Sequence, residues 1–294
     1  MTDTSLPERL ANALPAEESS LGYLFWLSRP RFWLYLAGPV LVGVAYAAAT
    51  PRELFAPLSV ALFAYFLVPA NVYLYGINDV FDADVDEANP KKADREVRYR
   101  GSRLVLLAVV ACGALGLLFV PFLGTGATVA LVAFYLLATE YSAPPLRFKT
   151  TPLLDSVSNG LYALPGIAAY AALAGQYPPV AAMVGAWLWT MAMHTFSAIP
   201  DIDPDREAGI RTTATFLGRD RTYAYCALVW LAAAVAFALV HPLLGAVLAV
   251  YPLLVVAIAV SGVAVDRAYW WYPAINTVVG MVLTMGAIWR LLYV

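Results

Sequence analysis

The sequence predicts an all-α, polytopic membrane protein of about nine transmembrane helices, and three observations predict it. The chain of 294 residues is 62% hydrophobic and 13% charged, too few charges to cover a soluble protein of this size. Nine apolar stretches of spanning or near-spanning length follow one another, at about 32–49, 54–77, 104–120, 126–139, 154–174, 180–198, 222–240, 242–262 and 274–293. Lys and Arg, finally, fall almost entirely on one side of a nine-span topology.

That third observation also sets direction. With the N-terminus inside, the inside segments hold Arg9, Arg29, Arg31, Lys91, Lys92, Arg95, Arg98, Arg100, Arg103, Arg147, Lys149, Arg206, Arg211, Arg219, Arg221 and Arg267. Arg52 and Arg290 are left outside. A miscounted helix would scramble the later loops, so the bias supports the count as well as the orientation. The short fourth stretch leaves eight or ten spans as alternatives.

Residues 1–20 are polar, carry Pro7 and Pro15, and read as a cytoplasmic tail without a cleavable signal. Residues 21–294 then form one transmembrane domain. Cys112 and Cys226 sit in apolar runs and read as small buried hydrophobes. A net charge of −2 with no long basic tract gives no footprint for nucleic acid. Outside connections are short, whereas the inside ones, at about 78–103, 140–153 and 199–221, are longer and charged. Function belongs on the long-loop face.

The first inside loop opens on Asn78-Asp79-Val80-Phe81-Asp82-Ala83-Asp84-Val85-Asp86. On a helix, Asp79, Asp82 and Asp86 are three and four residues apart and share a face. Such a cluster repels itself unless a cation neutralises it, and its oxygen donors suit Mg²⁺, which shares its shell with phosphates. Lys91 and Lys92 follow, as cations for phosphate oxygens or as an ordinary basic loop against anionic lipid.

The arrangement recurs as Asp201-Ile202-Asp203-Pro204-Asp205. Asp201 and Asp205 lie one turn apart, Asp203 points elsewhere on a regular helix, and Pro204 argues against regular geometry. Gly209 permits close backbone approach, and Arg211 is within reach of phosphate. The order of apolar helix, acidic cluster, basic loop and helix pair thus runs twice, which implies two related halves whose clusters face each other across a cavity. Two carboxylate clusters there make a site for a metal-bridged diphosphate.

A third stretch, Tyr141-Ser142-Ala143-Pro144-Pro145-Leu146-Arg147-Phe148-Lys149, offers Tyr141 as a hydrogen-bond donor to phosphate, with Arg147 and Lys149 adding charge. Tyr141 reads equally as an interfacial tyrosine. Arg29, before the first helix, is either an interfacial anchor or a cation over the cavity. His194, ahead of Asp201, reads first as a packing residue. Tyr73, Tyr75 and Phe81 lie near the first cluster as packing residues or as faces for a cation. No Gly-rich phosphate loop, Cys metal motif or nucleophile elbow is present.

The run Asn78-Asp79-x-x-Asp82-x-x-x-Asp86, with Asp201-x-x-x-Asp205, Gly209-Ile210-Arg211-Thr212, Tyr141-Ser142 and Arg29-Pro30, resembles the UbiA-type intramembrane prenyltransferases over about residues 20–294. The resemblance implies nine helices around a central cavity, with Mg²⁺ held by Asp79, Asp82, Asp86, Asp201 and Asp205. It implies an isoprenyl diphosphate bound by Asn78, Arg29, Lys91, Lys92, Tyr141, Arg147, Lys149 and Arg211, and a lipophilic acceptor entering from membrane lipid. Many members follow the first motif with Asn-x-Pro-x-Arg-Pro, whereas Asn89-Pro90-Lys91-Lys92-Ala93-Asp94-Arg95-Glu96 stands here. That wording looks more like the lycopene elongases, which add C5 units from dimethylallyl diphosphate (DMAPP) to lycopene. Quinone precursors and glycerophosphate lipids are the alternative acceptors.

Overall fold

The computed structural model describes residues 19–86 and 102–293, without the side chains of 20 and 82–86. Nearly all of the expected tail and the loop carrying Lys91 and Lys92 lie outside the described residues, as do the side chains of Asp82 and Asp86.

Every described element is helical. The first half contains α1 (Ser20–Leu27), α2 (Trp33–Ala47), α3 (Pro57–Leu67), α4 (Pro69–Asp86), α5 (Arg103–Leu117), α6 (Thr125–Glu140), α7 (Leu154–Val157) and α8 (Leu164–Ala174). The second contains α9 (Val180–Ser197), α10 (Ile202–Glu207), α11 (Thr213–Leu217), α12 (Arg219–Val240), α13 (Pro242–Leu248), α14 (Val250–Ser261), α15 (Val265–Tyr269) and α16 (Tyr272–Tyr293).

The protein is polytopic. Six stretches among the described residues are long and apolar enough to cross a membrane: Pro57–Phe81, Arg103–Phe122, Leu154–Ala174, Arg219–Val240, Pro242–Ser261 and Val265–Tyr293. Three of the nine expected spans fall short of that standard, for visible reasons. α2 has 15 residues and α6 has 16, while α9 is diluted by Thr190, His194, Thr195 and Ser197. Proline breaks the longer runs: Pro69 cannot donate to the carbonyl of Tyr65, so α3 and α4 meet at Val68.

Burial divides as the sequence recurrence implies. One core draws Leu36, Val40, Leu62, Phe66, Leu74, Phe134 and Leu161 from the first half. The other draws Met193, Phe196, Trp230, Tyr251 and Tyr272 from the second, with Trp230 stacked between Tyr251 at 5.5 Å and Tyr272 at 6.0 Å. Each half thus has its own apolar centre.

Two contacts close the bundle. α2 crosses α8 at small residues: a Cβ on Gly43 would lie 2.3 Å from the carbonyl oxygen of Gly166, the close approach that membrane helices gain from glycine. α16 returns to pack on α2. On the site side of that seam, the Arg31 guanidinium lies 3.7 Å from the Trp270 ring centre and donates to the Trp270 carbonyl at 2.6 Å.

Candidate active site

Three helices meet here. Asn78, midway along α4, accepts a short hydrogen bond from Ser142, just past α6. The Tyr141 hydroxyl, also at the end of α6, lies 3.2 Å from His194 Nε2 near the end of α9. Clustered carboxylates repel one another unless cations stand beside them.

The cations are present. Arg29 reaches Asp79 at 3.6 Å, and its guanidinium lies 4.4 Å from the centre of the Tyr75 ring. Arg147 donates to the Phe81 carbonyl at 3.3 Å, from the loop after α6. Lys149 is half-buried in the same loop; burial pushes its ammonium down to about 8, against the opposing pull of Asp79. Arg29 and Arg147 hold φ values of 50° and 42°, a left-handed backbone that costs non-glycine residues about 1–3 kcal/mol. Strained arginines at the mouth of one acidic motif mark a site that the surrounding structure imposes.

The second motif has its own local geometry, with Asp205 near Tyr141. Asp201 ends a 3-10 turn and Asp205 lies in α10, one turn on. Pro204 does not disturb this geometry, because it stands in the first turn of α10, where helical N–H groups have no intrahelical acceptor. Asp203 is exposed and pairs with Arg206 at 3.9 Å, away from its two neighbours. Gly209 takes φ +71° to end the helix, with Ile210 N–H donating to the Asp205 carbonyl at 2.8 Å. Glycine supplies that positive φ without a Cβ penalty.

Beneath the motifs lies an aromatic wall. The Tyr75 hydroxyl lies 3.4 Å from that of Tyr162, and the Tyr162 ring is 6.4 Å from Tyr35. Pro39 removes the helical donor to the Tyr35 carbonyl on α2. Tyr35, Tyr141, Tyr162, His194 and Tyr269 are each partly accessible although deep in the protein. Tyr35 neighbours Tyr162 and Tyr269, and Tyr141 neighbours His194, so these rings form one polar-edged cluster. A polar rim of mixed charge over an aromatic cluster can hold an anion at one end and shelter a cation at the other.

A model of the UbiA prenyltransferase family matches residues 36–288. The chain belongs to the UbiA prenyltransferase family. It is 64% identical over 287 residues to a lycopene elongase/hydratase of Haloarcula japonica, covering 97% of this chain and 98% of that protein. It is 68% identical over 271 residues to a lycopene elongase/hydratase of Haloferax volcanii, covering 92% and 90%. Among solved structures, a UbiA homologue of Archaeoglobus fulgidus bound to DMAPP and Mg²⁺ shares the fold. Its TM-score is 0.71 at 21% identity, covering 90% of this chain and 98% of that one.

Within this UbiA-family fold, not every residue singled out in the sequence converges. Asn78, Asp79, Arg29, Tyr141, Arg147 and Lys149 form one rim. Arg211 is exposed and lines a surface depression of about 200 Å³ with Arg206, Gly209, Ile210, Thr215 and Phe216. Of the three aromatics near the first motif, Tyr75 lies under Arg29. Tyr73 bonds Thr139 at 2.8 Å and packs on Tyr135, and Phe81 is exposed. Among the described residues no three acidic, His or Cys side chains gather in one metal-binding group; Asp82 and Asp86 are outside that comparison.

Asp155 was not among the residues singled out, and it is 1% exposed. Its Oδ2 accepts from Thr213 N–H at 2.9 Å, and Oδ1 accepts a short bond from the Thr213 hydroxyl. Thr213 Oγ1 in turn accepts from Leu153 N–H at 2.7 Å, and Asn159 donates to the Asp155 carbonyl at 2.6 Å. The carboxylate pins α11, which follows the second motif, to α7 of the first half. A signal existed: a lone carboxylate inside an apolar run is costly unless it is used.

Proposed function

We propose that this chain is a Mg²⁺-dependent lycopene elongase, transferring the dimethylallyl group of DMAPP to the ends of lycopene. The observation that carries the reading is the Arg29–Asp79 pair with Lys149 beside it, standing over a cluster of tyrosines. The identity to lycopene elongase/hydratases over nearly the whole chain supports the acceptor.

Asp79, Asp82, Asp86, Asp201 and Asp205 are hard oxygen donors, the set that fits Mg²⁺. When bound, the metal supplies charge neutralisation of the departing diphosphate. Arg29, Arg147 and Lys149 hold phosphate oxygens, joined by Asn78 and by Lys91, Lys92 and Arg211 from the flanking loops, with Tyr141 at the floor of that cradle. Paired cations stabilise the leaving group more as its charge develops, which lowers the barrier to ionisation. Tyr75 and Tyr162 turn π-faces toward the allylic cation, and the apolar walls keep water from capturing it early. Nine spans, a cytoplasmic N-terminal tail over residues 1–20 and cytoplasmic motif loops complete the reading. They place the site where soluble diphosphates meet a lipid-dissolved acceptor.

The test is product analysis of membranes containing the chain, supplied with DMAPP, Mg²⁺ and either lycopene, a quinone precursor or a glycerophosphate lipid. C5-extended lycopene that disappears with EDTA supports the reading. Transfer to another acceptor alone keeps the mechanism and overturns lycopene.

A further inference from the structure

Alkylation of lycopene leaves a chemical problem that the diphosphate cradle does not solve. The terminal C=C of the acceptor gives its two π electrons to the new C–C bond, while diphosphate departs with the electrons of the allylic C–O bond. A tertiary carbocation remains on the acceptor. It ends either by losing a proton to form an alkene or by taking up water to form an alcohol. Both routes need a proton acceptor inside a cavity that is otherwise apolar.

The described residues contain one neutral pair placed for this. The Tyr141 hydroxyl lies 3.2 Å from His194 Nε2, with the rings edge-on at 5.8 Å between centres. Both residues are deep yet partly accessible, and Tyr162 lies near Tyr141. The groups facing the pair are known. Asp155 on α7 lies near both, while Asn159, Tyr162 and Asp205 on α10 lie near Tyr141. The Asp155 carboxylate, near His194, attracts an imidazolium once it forms. Arg29 and Lys149, by contrast, are cationic and gather at Asp79. The rim is built for an anion, and the pair is built to accept a proton.

We propose that Tyr141 and His194 form a proton relay that hydrates the acceptor cation. A water oxygen forms the C–O bond to the tertiary carbon, and its proton passes to the Tyr141 oxygen as the Tyr141 proton passes to His194 Nε2. His194 Nε2 must then be the unprotonated nitrogen of the resting ring. Atoms and charge balance: water is divided between the new alcohol and the imidazolium, and diphosphate carries away the negative charge. This assignment rests on the lycopene reading above and adds to it the residues that decide the product.

The experiment uses membranes containing the full chain, with lycopene, DMAPP and Mg²⁺ in H₂¹⁸O, and reads pigment masses. The wild type should give C5-extended products bearing an ¹⁸O hydroxyl. His194→Gln should still extend lycopene, but the ratio of hydroxylated to unhydroxylated product should fall about a hundredfold, the lower reach of general-base catalysis. Tyr141→Phe, which also removes a donor from the diphosphate cradle, should lower the same ratio in the product that it forms. In D₂O the wild type should shift the same way, because a proton leaves water in the deciding step. The variants alter different elements, so one that fails to accumulate leaves the other and the D₂O measurement to decide. Extension with an unchanged product ratio overturns the relay and leaves the elongase reading standing. Extension by the wild type with no hydroxyl also overturns the relay. No extension by the wild type overturns the acceptor, and the relay with it.

Discussion

Arg29 meets Asp79 at 3.6 Å from a backbone held at φ 50°, with its guanidinium over the ring of Tyr75. One side chain therefore touches the acidic motif and the aromatic wall at once, at the boundary between anion and cation chemistry. Arg29→Ala should raise KM for DMAPP by about tenfold or more, the loss expected for a charge-assisted contact. Arg29→Lys should recover part of it, since a lysine keeps the charge but not the planar fork. Initial rates against DMAPP concentration check both.

Lys149 gives the site a pH limit with a defined sign. Burial holds it at about 8, against an ordinary 10.5, so the ammonium that attracts phosphate is present below about pH 8 and lost above. Affinity for DMAPP should fall as pH rises through that value, and Lys149→Arg should flatten the fall. Stability should move the other way. An unfolded lysine keeps its proton to higher pH, so between about 8 and 10.5 the unfolded chain binds more protons and this group's contribution to stability rises. Binding titrations and thermal melts across pH 7–10 separate the two.

Asp155 should matter for architecture. Asp155→Ala leaves the buried Thr213 N–H and hydroxyl without their acceptor, at a cost of about 1–3 kcal/mol. Asp155→Asn keeps one acceptor oxygen and should cost less. The measurement is the unfolding midpoint of the purified protein in detergent.

The α2–α8 crossing predicts a steric result. At Gly43 any added Cβ meets the Gly166 backbone, which cannot yield as a side chain would. Gly43→Val should lower the unfolding midpoint, whereas the same change at Gly280, with open space around its Cβ position, should leave it nearly unmoved.

The fold class could be read from the sequence because a membrane protein writes it in composition and in the length of its apolar stretches. The acidic motifs were readable because a carboxylate at an apolar helix end is costly. Other features were not, for physical reasons. α9 falls short as an apolar span because it carries Thr190, His194, Thr195 and Ser197, whose side chains bond within the helix, to Ser156 of α7 or to Tyr141. Arg29 could be an anchor or a cation over the cavity by sequence, because its neighbour Asp79 is fifty residues away in the chain. Asp155 and Thr213 are 58 residues apart, and no local pattern announces a bond of that span. Pro204 misled because a proline warns of irregularity everywhere except in a helix's first turn, which is where it stands.

The central claim is that the two acidic motifs, one from each half, jointly hold a metal-bound diphosphate. It is tested most directly by binding a non-ionising thiolo analogue of DMAPP to purified protein with and without Mg²⁺, in the wild type, Asp79→Asn and Asp205→Asn. The account predicts binding that requires Mg²⁺ and falls roughly 10²-fold in each variant, while the unfolding midpoint is kept. Binding that survives EDTA, or that either variant retains at full affinity, would contradict it.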